Sequence, residues 1–426
     1  MPDCADSSKE TAGPREIGQT RRWVILTAVC LGFVVMALNW FSIAVVFPQI
    51  EDHFALGVPE LTLLISAFLV GVGVFHFASG LLAKWLGLRL VLVLGLAIAS
   101  AAPIFSGLAS TYLQLLLTRF VAGIGTSIFI AIGIAAVSVW YRDKHLALAL
   151  GVLSAGYSVG TAVGLYGWEF VTDSVGWRAA LVVGGALGLL ITILIAAVYV
   201  APPGNDHLAG ERITVESLRQ TLGNSQLWLY GVAFLGTYGA FFVASQMLGE
   251  YGDSTGRFSS GQVGVAMLLL GLAGIPGSVV GGWWSDRLGQ RRSFILAAVL
   301  VQGLLLLAIP VTPGSLLWLS AAGIGFAFNG GWAVWQCVPG SAGGVKSEDI
   351  GTAIGLMLTI TAIGGFLIPW IYGHVVTALG YTWAWAFLGA VGIGCGAVGL
   401  LAHEPRGGEV VEPGRVEMVE RRPAGR

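Results

Sequence analysis

Arg119 is the residue whose position promises chemistry, because it lies about seven residues inside an otherwise uncharged run from 113 to 140. A guanidinium at the middle of a bilayer costs about 2.5 kcal/mol or more on insertion scales, and less near an interface, so one held there usually serves a purpose. At 1.5 Å per residue it sits about 9 Å from the nearer end of its run. It offers an anion anchor or a perturbation of a nearby proton site. The alternative is an arginine that snorkels outward and ties helices together. His76, inside a second run, and His374, at the end of another, can titrate near neutral pH. The acids Glu169, Asp173, Glu250 and Asp253 gather near run ends, and no acid occupies the middle of a run. Proton coupling therefore has Glu169, Glu250 and His76 as its first candidates. No run holds a histidine pair, a Ser/His/acid set or a nucleotide loop, so the chain is not expected to be an enzyme. Cys30, Cys337 and Cys395 in apolar runs and Cys4 in the polar start give neither metal spacing nor a disulfide framework, and no cofactor is called for.

The elements that must position these residues follow from composition. The 426 residues are 56% hydrophobic and 11% charged, with a mean hydropathy of +0.82. A soluble domain carries about 25% charged residues, so a water-soluble globule is excluded. A net charge of −1 removes nucleic acid as a partner. Spanning a bilayer takes about 20 apolar residues per helix. Twelve runs qualify: 23–45, 60–82, 90–108, 113–140, 146–168, 179–200, 227–249, 262–284, 293–310, 315–338, 350–373 and 382–402. Lipid leaves no backbone group unpaired, and these runs are too long for barrel strands, so they are predicted helices. With the N-terminus inside, 19 of the 22 lysines and arginines fall on the cytoplasmic side, and only Arg178 and Arg257 fall outside. Basic residues are retained on the cytoplasmic side, which puts both termini in the cytoplasm of a multi-pass cell-membrane protein.

The longest internal polar segment, 201–226, separates six runs from six. The organisation is a tail 1–22, a bundle 23–200, a central loop 201–226, a second bundle 227–402 and a tail 403–426. Similar pieces recur at offsets of 200 to 204: Gly123-Ile124-Gly125 over Gly323-Ile324-Gly325, Ala149-Leu150-Gly151 near Ala353-Ile354-Gly355, and Gly80–Arg89 on Gly282–Arg291. Three matches in order indicate a duplication. The segment Gly282-Trp283-Trp284-Ser285-Asp286-Arg287-Leu288-Gly289-Gln290-Arg291-Arg292 then resembles the loop signature of the major facilitator superfamily, and Arg119 with Gly123 and Gly125 is similar to its fourth-span signature. The resemblance covers 20–402. It implies an all-α integral membrane fold of 12 transmembrane helices in two pseudosymmetric six-helix bundles that rock about a central site.

That resemblance also selects a cavity lined mainly by spans one, four, seven and ten. There the polar candidates are Asn39, Arg119, Tyr238, Gln246, Asn329, Trp332 and Gln336. Each uncharged one would serve equally as interhelical glue worth about 0.6 kcal/mol. Among 11% aromatics, many rings only pack. At the cytoplasmic gate, Asp286 is expected at the N–H groups opening a neighbouring helix, with Arg287 and Arg291 beside it. The first-half copy keeps Arg89 but has Lys84 at the acid position. Lys84 is expected to pair instead with Glu348 or Asp349. The stretches Gly323–Gly331 and Ile363–Pro369 resemble nitrate/nitrite and cyanate porter branches, and Gly156 through Trp177-Arg178-Ala179-Ala180 is similar to oxalate/formate-type members. The basic residues those branches place in spans two, eight and eleven are absent here, and Gly160 is followed by Thr161 rather than the proline of drug antiporters. A monomeric secondary carrier of a small monoanion or polar neutral solute is the expectation, with a proton as candidate coupling ion. An exporter of hydrophobic or drug-like compounds, or a receptor or scaffold of the same fold, are the alternatives.

Overall fold

The computed structural model describes residues 14–141, 146–200, 215–339, 345 and 350–405. Among them are sixteen α-helices and no strand. The first bundle comprises α1 (Pro14–Val45), α3 (Val58–Leu86), α4 (Leu88–Gly107), α5 (Tyr112–Tyr141), a fifth span, and α8 (Trp177–Val198). The fifth span is α6 (Leu146–Ala162) and α7 (Trp168–Val175), joined by a π-helical turn, Val163–Gly167. A short helix, α2 (Phe47–Phe54), caps the end of α1, and α9 (Val215–Gly223) precedes the second bundle. That bundle comprises α10 (Ser225–Thr255), an eighth span of α11 (Ser260–Leu272) and α12 (Gly274–Leu288), α13 (Arg291–Ala308), α14 (Leu317–Trp335), α15 (Ile350–Leu379) and α16 (Tyr381–Val398). Eleven of these spans are long and apolar enough to cross a membrane. The twelfth, α14, has only 19 residues, and its glycines and Asn329 dilute its apolar character.

The breaks have local causes. Pro276 has no N–H to give the carbonyl four residues back, so the eighth span stops at Leu272 and restarts at Gly274. Gly87 and Gly289 turn the chain between spans with φ of 83° and 63°, a region that costs other residues a Cβ clash.

The duplication is physical. Helix pairs α3·α5, α4·α5, α4·α8 and α1·α8 of the first bundle recur as the eighth span with α14, α13·α14, α13·α16 and α10·α16 in the second. The register is that of Gly123 with Gly325, two residues away from the expected match of Gly123 to Gly323. A Cβ on Gly123 would lie 2.0 Å from the Phe68 carbonyl oxygen, and one on Gly325 would lie 2.0 Å from that of Leu270. Both partners move by 202 positions, from 123 to 325 and from 68 to 270. Similar short glycine motifs cannot fix register; backbone-to-backbone approach does.

The first and last described residues, Pro14 and Pro405, lie at one end of the bundles, the terminal face; α2 and the turns at Gly176, Gly256 and Gly380 lie at the far face. The bundles meet along the far half. Ser66 of α3 donates to the Phe366 carbonyl of α15 at 2.8 Å, with Gly373 against Pro59 and Thr62, Gly365 against Leu69, and Gly73 against Ala362. On the opposite flank, Tyr166 of the π turn packs on Gly264, Ala162 on Gly271, and Ser158 near Gly274.

Candidate functional site

Where α1 and α10 cross this seam, aromatic rings from the two bundles stack. Trp40 lies on Phe242 with ring centroids 4.9 Å apart and planes 11° from parallel, and Phe41 lies 6.2 Å from Phe242. Behind Trp40 stands Phe68, at 4.6 Å, and behind Phe242 stand Tyr238 at 4.8 Å and Phe328 at 5.9 Å. Trp332 adds to the second-bundle side, 5.6 Å from Tyr238. Tyr157 of α6 meets Trp40 edge-on at 6.1 Å. Trp40 and Phe242 are fully enclosed, whereas Tyr157 and Trp332 are only half-buried.

Arg119 joins this cluster. It is 2% exposed, its Cζ lies 4.6 Å over the Phe68 ring, and its Nη2 donates to the Trp40 carbonyl at 3.2 Å. Its Nε–H has no acceptor, and neither does the Nε1–H of Trp40. Among the described residues no carboxylate pairs with it. A buried cation without a counter-charge is costly, and what reduces that cost is a counter-anion. Snorkelling is excluded by the burial.

Of the other expected site residues, Tyr238 and Trp332 join the cluster. Gln246 lies 1% exposed on α10, its amide donating to its own helix at Phe242 and its Oε1 unpartnered. Asn329 donates to Gly325 on its own helix at 2.9 Å and stands beside Gly274 at the break of the eighth span. Asn39 points the other way, into its own bundle, where its amide donates to the Gly184 carbonyl of α8 at 3.1 Å. Gln336 is exposed past the last turn of α14 and stands apart from the cluster. Sequence reasoning passed over Phe68, Tyr157 and Phe242. Their signal was aromatic identity alone, which 45 aromatic residues share.

The coupling candidates occupy separate places. His76 on α3 pairs through Nδ1 with the Ser127 hydroxyl of α5 at 2.9 Å. That hydroxyl donates to the Val72 carbonyl, so the ring nitrogen is the donor and Nε2 keeps its lone pair. His374 stacks edge-on against Trp370. Glu250, 6% exposed at the far end of α10, accepts from the Ser254 hydroxyl and from Tyr381 OH. Glu51 on α2 faces it from the first bundle: burial first, then Glu250, then Asp52 raise the Glu51 carboxyl above its ordinary range. Glu169 is exposed and within electrostatic reach of Asp173 and, across the seam, Asp253.

At the terminal face, the described arginines hold each bundle together. Arg89 donates to the Ala196 carbonyl ending α8. Its counterpart in role is Arg292, which donates to the Gly399 and Leu400 carbonyls after α16. Arg291 binds Ser285 and the Cys337 carbonyl, and Arg287 lies over Trp283 of its own helix. The contacts expected of Lys84 and Asp286, and the partners Glu348 and Asp349, lie outside the described residues. No group of three metal-ligating side chains occurs among the described residues.

The family model described as "Major Facilitator Superfamily" matches residues 29–342 and 227–423. A Cupriavidus necator protein named "Probable sulfoacetate transporter SauU" is 26% identical over 414 residues, covering 90% of this chain and 94% of that protein. A Thermus thermophilus protein named "Probable nitrate/nitrite antiporter NarK1" is 25% identical over 385 residues, covering 82% and 84%. Among solved structures, a bacterial homolog to the human lysosomal transporter Spinster, in an inward-facing and unoccupied conformation, superposes with a TM-score of 0.64 at 18% identity, covering 89% of this chain and 95% of that one. It shares the fold.

Proposed function

This chain belongs to the Major Facilitator Superfamily, and from that membership we propose that it is a secondary active transporter carrying a small monovalent anion by alternating access. The terminal face is cytoplasmic on the strength of the lysine and arginine asymmetry. Contacts between bundles along the far half then describe a carrier closed to the exterior. Opening outward separates α1 from α10 and parts the Trp40–Phe242 stack. The observation that carries the anion reading is Arg119, buried in the cluster at this seam with an unpartnered Nε–H and, among the described residues, no acid paired with it. One unpaired guanidinium balances one negative charge. Relatives named for sulfoacetate and for nitrate/nitrite support an anionic cargo.

On this reading a proton is the coupling ion, and two places support it. One is His76, whose Nδ1 pairs with the Ser127 hydroxyl inside the membrane span. Glu250 and Glu51 oppose each other across the far seam, so a proton there favours closure.

Export of hydrophobic compounds is the second reading, favoured by the aromatic walls around the single cation. Thermal unfolding of the purified protein separates the two, because a ligand that binds the folded state raises its apparent stability by RT ln(1 + [L]/Kd). Monovalent anions at millimolar concentration should raise the Tm and lipophilic cations should not; the reverse pattern refutes the anion reading.

A further inference from the structure

Resting on the monoanion reading, we propose that the cargo is an organic monoanion with a flat π-system, an aryl carboxylate, whose ring intercalates between Trp40 and Phe242 while its carboxylate meets Arg119. Near-parallel rings that cross a seam between moving bodies pose a physical problem. Trp40 belongs to the first bundle and Phe242 to the second, 4.9 Å apart and 11° from parallel. When the bundles part, Phe242 loses a stacking face that its own bundle does not replace, since Tyr238, Phe241 and Phe328 meet it edge-on, at 69°, 78° and 76°; Trp40 keeps Phe41 beside it, near-parallel at 5.3 Å and 13°, and loses the face turned to Phe242. A flat ligand entering the gap restores a face to both rings at once. An aliphatic or inorganic solute does not.

The position of the cation fits such a ligand. Arg119 and the Trp40 ring share Phe68 as a neighbour, each 4.6 Å from it, and Arg119 Nη2 reaches the Trp40 carbonyl at 3.2 Å, so the cation sits against the same turn of α1 that carries the ring. The ligand's carboxylate finds a buried N–H donor that has no acceptor among the described residues, Arg119 Nε. A charged hydrogen bond from a guanidinium to a carboxylate is among the stronger kinds. The two opposed walls, Trp40 and Phe242, are ring faces, which carry negative charge density. A bare inorganic anion pressed against them is repelled and loses its hydration to few donors, whereas an aryl carboxylate presents its charge at one end and its ring to the walls.

The test uses the full chain in proteoliposomes with labelled benzoate, competed by nitrate, acetate, cyclohexanecarboxylate and benzamide. The expected order is benzoate first, then cyclohexanecarboxylate, with acetate and nitrate weaker by tenfold or more and neutral benzamide without effect. Trp40→Leu and Phe242→Leu should each cut the preference of benzoate over cyclohexanecarboxylate by about fivefold, the value of one lost aromatic pair. The wild-type competition decides the matter even if a variant fails to fold. Equal or better competition by nitrate, acetate or cyclohexanecarboxylate overturns the aryl assignment and leaves a monoanion carrier standing. Transport of a neutral or cationic solute with every anion inert overturns both.

Discussion

Replacing Gly123 by alanine places a methyl group 2.0 Å from the Phe68 carbonyl oxygen, where ordinary contact begins at 3.4 Å, so α3 and α5 must part by about 1.4 Å. Overpacking of this kind costs about 1–3 kcal/mol. The duplication supplies its own control, because Gly325→Ala imposes the same 2.0 Å approach on the Leu270 carbonyl in the second bundle. The two variants should lose similar thermal stability in detergent. They should differ in transport. Phe68 carries the Arg119 guanidinium on its ring at 4.6 Å and packs on Trp40 at 4.6 Å, so displacing it disturbs the anion anchor, whereas Leu270 touches no cation. If about 1.4 kcal/mol of the strain reaches the anchor, the KM for the anion rises about tenfold in Gly123→Ala, and in Gly325→Ala it stays within about twofold. Initial uptake rates in proteoliposomes, alongside melting curves of the same preparations, read both quantities. An equal rise in KM for both variants, or no loss of stability in either, refutes the reasoning.

A second expectation concerns pH. Burial, then Glu250, then Asp52 raise the Glu51 carboxyl in the closed seam, so closure binds a proton more tightly than opening does. Closure is therefore favoured as pH falls toward and below that raised value, and weakened as pH climbs through it into the range where Glu51 ionises. Spin labels on α2 and on the 256–260 turn, in a cysteine-free background, should shorten on acidification, and Glu51→Gln should hold the short distance at neutral pH; a pH-independent distance contradicts this. Arg89→Ala and Arg292→Ala each remove a guanidinium from helix-end carbonyls, at about 1 kcal/mol, and melting curves should show additive losses because the sites lie in different bundles. Arg292→Ala should lose more, since it reaches two carbonyls. Asn39→Ala should lower stability by roughly 0.6 kcal/mol and keep the anion KM within about twofold, because its side chain faces Gly184 of α8.

Much of this architecture is legible in the sequence because lipid permits so few solutions. An apolar run of about 20 residues has to be a helix, and the expected runs fall on the observed spans. The break in the eighth span had a written signal in Pro276, whereas the π turn at Val163–Gly167 had none: it contains no proline or charged residue to mark it, and it places Tyr166 against Gly264 across the seam. Arg119 is conspicuous because charge is scarce inside the runs. Phe242 is not, since only the approach of α1 to α10 distinguishes it from other rings. Asn39 and Gln336 illustrate the same limit from the other side. Span membership places a residue at a depth, but its helical azimuth decides whether it faces the seam, and glycine-rich spans have too weak an amphipathic pattern to reveal that azimuth.

The most direct measurement is uptake of a labelled monovalent anion by Arg119→Gln and wild-type protein reconstituted at equal density. The buried guanidinium, with no carboxylate paired to it among the described residues, predicts loss of saturable uptake in the variant while its melting temperature stays at or above that of wild type, because a buried charge without a counter-charge has been removed. Saturable anion uptake at the wild-type rate and KM in Arg119→Gln would contradict the account.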